Sequence, residues 1–159
     1  AYAALGDEAA PPLVLAGPRP TEAVRDVAPE RLCREKGVES RVKILPRLFD
    51  DWQLRALYRG AYVLVMPSLY ESFGFPALEA MAMGVPVIVS DAGSLPEVVG
   101  DAGIVEKTGT AGGLAEALRA VLHQPHLAGE LSRKGRERAR PFTWERALDA
   151  LIPIYEEAA

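Results

Sequence analysis

The chain has 159 residues, 49% of them apolar, and a formal charge of -4 from 18 Lys and Arg against 22 Asp and Glu. That length suits one domain with a core of its own, and the acidic balance argues against bulk affinity for nucleic acid or anionic membranes. Cys33 is the single cysteine, which excludes a disulfide framework or a cysteine-rich metal site within one chain. No apolar run is long enough to span a bilayer and nothing reads as a signal peptide, so the composition is that of a cytoplasmic domain.

Residues 1–9, AYAALGDEA, read as the tail of a helix with Tyr2 and Leu5 on one face and no start signal. This suggests a cut from a longer polypeptide; an ordinary short first helix is the rival reading. After Pro11 and Pro12, residues 13–16 make a short apolar strand ending at Gly17-Pro18. Residues 22–36 can form a helix ending at Gly37, with Pro29 breaking or restarting it. Residues 41–45 read as a second strand around Val42, Ile44 and Leu45. Asp50 or Asp51 can cap a helix through Tyr58, with Leu54, Leu57 and Tyr58 on its apolar face.

The central stretch, residues 62–91, reads YVLVMPSLYESFGFPALEAMAMGVPVIVSD. Its two apolar, β-branched runs, 62–66 and 85–89, suit the interior of a parallel sheet. Between them a helix over 76–83 takes Pro76 in its first turn and Gly84 at its C-terminal stop. Further on, Ser94 can cap a short helix over 95–99, and 103–105 is a small strand. Residues 114–122 have helical spacing, and a basic helical stretch over 127–140 stops before Pro141. Thr143 caps a final helix with Leu148, Leu151, Ile152 and Tyr155 on one side. Strands alternating with helices predict an α/β fold with a right-handed parallel sheet.

Helix 76–83 is apolar nearly all round, with Glu79 its only charge, and such a helix is expected to be buried. An unpaired buried carboxylate costs on the order of several kcal/mol, and no lysine or arginine occurs between Arg59 and Lys107. Glu79 is therefore expected to face a cleft. Just before the helix, the loop Glu71-Ser72-Phe73-Gly74-Phe75 presents backbone N–H groups and the positive end of the helix dipole. Gly74 lets an anion approach that backbone.

Two carboxylates would repel a phosphate they touched; their better use is to accept hydrogen bonds from hydroxyls on either side of it. A nucleotide-sugar, with phosphate in the middle and hydroxyl-rich rings at both ends, fits that layout. The loop also follows the strand ending near Met66, and open α/β sheets bind ligands beyond the carboxyl ends of their strands. The plainer reading of Glu71 is a cap or dipole partner of the helix. Asp91, Ser94 and Glu97 flank a Gly93 turn and either edge the pocket or cap the next helix. His123 and His126 surround Pro125 with nothing to complete a metal site or a triad. The basic run 133–140, interrupted by Glu137, reads as a solvated face.

The string PSLYESFGFPALEAMAMGVPVIVSDAGSLPEVVGDAG closely resembles the C-terminal half of the family 4, or group 1, retaining glycosyltransferases. Their signature sets two glutamates with seven residues between them, which Glu71 and Glu79 match. The PSL, SFG, EAMAMG, PV and PEVVG segments follow the family's order, and a weaker likeness runs from LVLAG to FTWERAL. The resemblance implies one half of a GT-B fold: a Rossmann-like three-layer α/β/α domain. It implies that Glu71, the catalytic candidate, contacts the donor sugar's hydroxyls near the reacting carbon, and that Glu79 holds the ribose hydroxyls. Ser72, Phe73, Gly74, Phe75 and Leu78 would complete the donor site, and Arg47 and Leu48 would lie near the base.

The implied reaction moves a hexose from a nucleotide-diphosphate sugar to an acceptor hydroxyl with retained configuration, without a metal or other cofactor. The full-length enzyme is expected in the cytoplasm, at a membrane surface. The chain departs from the family at Pro46, where glycine is usual. The family's phosphate-neutralising arginine and lysine lie before the LVLAG strand, and the N-terminal acceptor domain is not in this chain. The expectation is thus one donor-binding domain over 1–159, inactive by itself. An epimerase or phosphorylase on the same architecture needs a hydrolytic base or a pyridoxal-binding lysine that the sequence does not place. Intact Glu71, Gly74 and Glu79 speak against a non-catalytic interaction module.

Overall fold

The computed structural model of the chain describes residues 1–6, 10–17, 28–45 and 50–158. Its strands are β1 (Leu13–Ala16), β2 (Val42–Leu45), β3 (Leu64–Met66), β4 (Val87–Ser90) and β5 (Ile104–Glu106). The helices are α1 (Pro29–Glu35), α2 (Asp51–Gly60), α3 (Phe75–Ala82), α4 (Leu95–Val99), α5 (Ala111–His123), α6 (Pro125–Ala139) and α7 (Trp144–Glu157). Short 3-10 turns stand at Tyr2–Leu5, Glu39–Arg41 and Gly100–Ala102.

Every strand pairing is parallel. Leu13 lies opposite Val42 in the β1–β2 ladder, Leu64 opposite Val87 between β3 and β4, and Ile88 opposite Ile104 between β4 and β5. The parallel α/β class expected from the alternation is present, in two ladders. Among the described residues β1 and β3 are not hydrogen-bonded to each other. An apolar cavity of about 1170 Å³ lies between them, lined by both strands and by Leu114, Leu118 and Leu122 of α5.

β4 shows why the fold has three layers. Its four residues are all buried, and successive side chains of a strand point to opposite faces. Val87 and Val89 enter one core cluster with Ala77, Ala80, Met81, Leu95 and Val99, from α3 and α4. Ile88 enters a second cluster with Ala117, Leu118 and Val121 of α5. α6 serves both, giving Leu131 to one cluster and Ala139 to the other.

The element boundaries follow local chemistry. Pro29 occupies the first turn of α1, where its missing N–H costs nothing; the expected start near Glu22 lies outside the described residues. Glu39–Arg41 forms a 3-10 turn, so the second strand begins at Val42. Asp50 stands at the N-cap of α2 without a capping hydrogen bond from its side chain. Thr143 does cap α7, its hydroxyl accepting from the Arg146 N–H at 3.3 Å. The apolar side foreseen for α7 exists but enters no core among the described residues: Leu148, Leu151, Ile152 and Tyr155 are all exposed.

Candidate active site at the start of helix α3

Two loops beyond the carboxyl ends of β3 and β4 are fastened to each other. Ser90 Oγ donates to the Ser68 carbonyl at 2.6 Å. The Ser94 N–H and hydroxyl both donate to the Glu71 carbonyl, at 3.3 and 3.4 Å. Gly93 makes the approach possible: a Cβ there would stand 2.0 Å from the Glu71 carbonyl oxygen, and its φ of +57° is one that side chains avoid. Gly74, with φ +98°, turns the chain into α3, and a Cβ on it would meet Leu95 Cδ2 at 2.6 Å.

Two of the flanking residues tie loops together. Ser94 stands at the N-cap of α4, but its side chain makes no cap; it holds Glu71. Asp91 accepts from the Thr108 N–H at 2.7 Å and from the Thr108 hydroxyl, tying the loop after β4 to the loop after β5. Those two bonds, the hydroxyl first, pull its carboxyl below the usual range. Glu97 falls in the first turn of α4.

The Glu71 carboxylate does not stand free. Its Oε1 accepts from the Ser72 N–H at 3.2 Å and, at 3.5 Å, from the Phe73 N–H. Two backbone groups expected to await an anion are thus held by the neighbouring acid, which is the capping role weighed above. The N–H groups of Gly74 and Phe75 make no hydrogen bond among the described residues, while those of Ala77 and Leu78 go to the Gly74 carbonyl. The Phe73 ring packs on Phe75, centroids 4.6 Å apart, and edge-on against Phe142. Leu78 is half-buried against the core.

α3 is not buried all round. Ala77, Ala80 and Met81 are fully buried, but Phe75, Glu79 and Ala82 lie on one exposed face at helical spacing. Alanines on both sides hide that asymmetry in the sequence. Glu79 is therefore exposed, as a cleft residue must be. Its Oε2 accepts from the Tyr58 hydroxyl at 2.8 Å. Tyr58, 6% exposed, is built into the core by α2. Burial first, then its bond to Glu79 and that carboxylate's charge, push its ionisation well above the ordinary value, so it stays a neutral donor. Sequence reasoning placed Tyr58 on an apolar helix face and missed its hydroxyl. The signal was a tyrosine where leucine or phenylalanine would pack as well, since a buried phenol needs a partner.

Arg47 and Leu48 lie outside the described residues. Among the described residues no three His, Cys, Asp or Glu side chains gather as a metal site, and no helix is long and apolar enough to cross a membrane. The basic run of α6 is only partly a solvated face. Arg133 pairs with Glu137 at 2.9 Å, and Lys134 with Glu130 at 3.1 Å and Asp101 at 3.3 Å. Arg138, however, donates to the carbonyls of Val98 and Glu97 at 3.1 and 2.6 Å, closing the end of α4.

A parallel α/β domain whose loops beyond β3 and β4 carry this pair of acids around a glycine-opened helix defines a class. Residues 4–139 match the family described as Glycosyl transferases group 1, and the chain belongs to it. It is 38% identical over 129 residues to the D-inositol 3-phosphate glycosyltransferase of Saccharomonospora viridis, covering 80% of this chain and 30% of that protein. Among solved structures it is similar to sucrose-phosphate synthase of Thermosynechococcus elongatus, with TM-score 0.84 and 32% identity, over 99% of this chain and 40% of that one. The fold also matches Anabaena HepE, solved in complex with UDP-glucose, with TM-score 0.81 and 20% identity, over 99% of this chain and 44% of that one. The chain thus spans under half the length of each.

Proposed function

We propose that this chain is the donor-binding domain of a retaining glycosyltransferase. The domain takes a nucleotide-diphosphate sugar, and a hexose passes to an acceptor hydroxyl held by the rest of a longer polypeptide. The observation that carries this reading is Glu79: an exposed carboxylate on an otherwise uncharged helix, one turn from the N–H groups of Gly74 and Phe75, which have no partner among the described residues. In this reading the diphosphate lies against those N–H groups and the helix dipole. Glu79 accepts from the ribose hydroxyls, and Glu71 from the donor sugar through Oε2, the oxygen its own loop does not hold. The bond from the anomeric carbon to the diphosphate breaks while the acceptor oxygen adds from the same face. The acceptor's proton goes to the departing diphosphate. HepE, of the same fold, holds UDP-glucose, which supports a donor of this class.

Calorimetric titration of the longer polypeptide with nucleoside diphosphates and their sugars tests the proposal. Glu79→Ala removes hydrogen bonds to a charged acceptor, worth about 1.5–3 kcal/mol, and so weakens binding by about tenfold or more. Equal affinity in the variant and the wild type would overturn the assignment.

A further inference from the structure

Glu79 has a hydrogen-bond partner that is neutral and rigid, and whose hydroxyl is not needed for packing. The Tyr58 ring is buried, and its two torsions are fixed by the core around α2, so its hydroxyl is a stationary point. A glutamate on an exposed helix face otherwise samples many rotamers. The chemistry of the partner matters as much as its position. A guanidinium would take both carboxylate oxygens, and an ammonium would offset the charge. The phenol occupies Oε2 alone, at 2.8 Å. Oε1 has no partner among the described residues, and its lone pairs can accept two hydroxyls.

We infer that Tyr58 is a positioning residue: it fixes the Glu79 carboxylate so that Oε1 receives the vicinal diol of a ribose. This rests on the donor-site reading above and adds to it the residue that sets the acid's geometry. Phenylalanine at 58 keeps the ring and the core and deletes only the contact to Glu79.

The test is a double-mutant cycle in the longer polypeptide, Tyr58→Phe and Glu79→Ala singly and together. Each is titrated with a ribonucleoside diphosphate (UDP, ADP or GDP, whichever the wild type takes), its 2′,3′-dideoxy counterpart and inorganic pyrophosphate. Tyr58→Phe should weaken the ribonucleotide by about three- to tenfold, leave the dideoxy compound and pyrophosphate unchanged, and do nothing further in the Glu79→Ala background. A merely structural role would weaken all three ligands together, and that pattern overturns the inference. Unchanged ribonucleotide binding in Tyr58→Phe, with Glu79→Ala impaired, overturns it while leaving the donor-site reading intact. A wild type that does not prefer ribose over dideoxyribose removes both.

Discussion

At the scale of single residues, the tightest constraint on the site falls on a glycine with no side chain to offer a ligand. A Cβ on Gly93 would collide with the Glu71 carbonyl oxygen, whereas one on Gly109, also at positive φ (+79°), meets nothing within 4 Å. Gly109→Ala therefore carries only the backbone penalty, about 1–2 kcal/mol. Gly93→Ala adds the displacement of the Glu71 loop and should cost about 2–4 kcal/mol, read as the difference between two urea midpoints. Asp91 permits a second check. Its folded-state pKa is lowered, so its contribution is present above the unfolded-state pKa of about 3.9 and is lost as pH falls through the folded value. Asp91→Asn should flatten the stability profile in that acidic window and leave its slope near neutrality unchanged. The two acids and Gly74 were legible in the sequence because they sit in one contiguous string. The Tyr58 contact, 21 residues away in the chain, depends on how α2 docks and leaves no local trace. The turn of Glu71 onto its own loop was legible as the cap reading, an acid beside a helix start; that it takes the Ser72 and Phe73 N–H groups is an electrostatic choice between neighbouring donors and solvent.

Among elements, the pairing of α3 with α6 decides whether the site has a firm floor. Met81 is fully buried, and a Cβ on Gly135 of α6 would lie 3.3 Å from its Cβ, so the helices meet through the smallest side chain available. Gly135→Leu should push α6 away at about 1–3 kcal/mol, and Met81→Ala should open a cavity at about 2–5 kcal/mol. The double variant should cost less than the sum, since the added leucine fills space the methionine leaves; strictly additive urea midpoints would show that the two do not share that space. This contact was readable in principle: Leu131, Gly135 and Ala139 recur every four residues and are the buried positions of α6. The run of arginines and lysine between them drew the reading toward a solvated face. Strand and helix identities followed from periodicity and from Pro and Gly punctuation. Where boundaries shifted, as at β2 and β3, a 3-10 turn or the reach of the neighbouring strand set the limit, and neither is encoded in the strand's own residues.

For the whole molecule, the apolar surfaces left open bear on how the chain behaves alone. α7 buries none of its residues; Trp144 is 73% exposed and Tyr155 72%. Its apolar residues at 144, 148, 151, 152 and 155 form one stripe. Exposed stripes of this size are rare on monomers and drive association. The 159-residue chain by itself should therefore associate reversibly, with a light-scattering mass that rises with concentration. Leu148→Glu combined with Ile152→Lys should return it to monomer without moving its thermal midpoint, because neither side chain is buried. Under the function proposed above, the longer polypeptide covers this stripe and stays monomeric at the same concentration. A monomeric isolated chain would mean that α7 folds back onto its own domain in solution, and an associating long form would mean that the stripe serves contacts between copies.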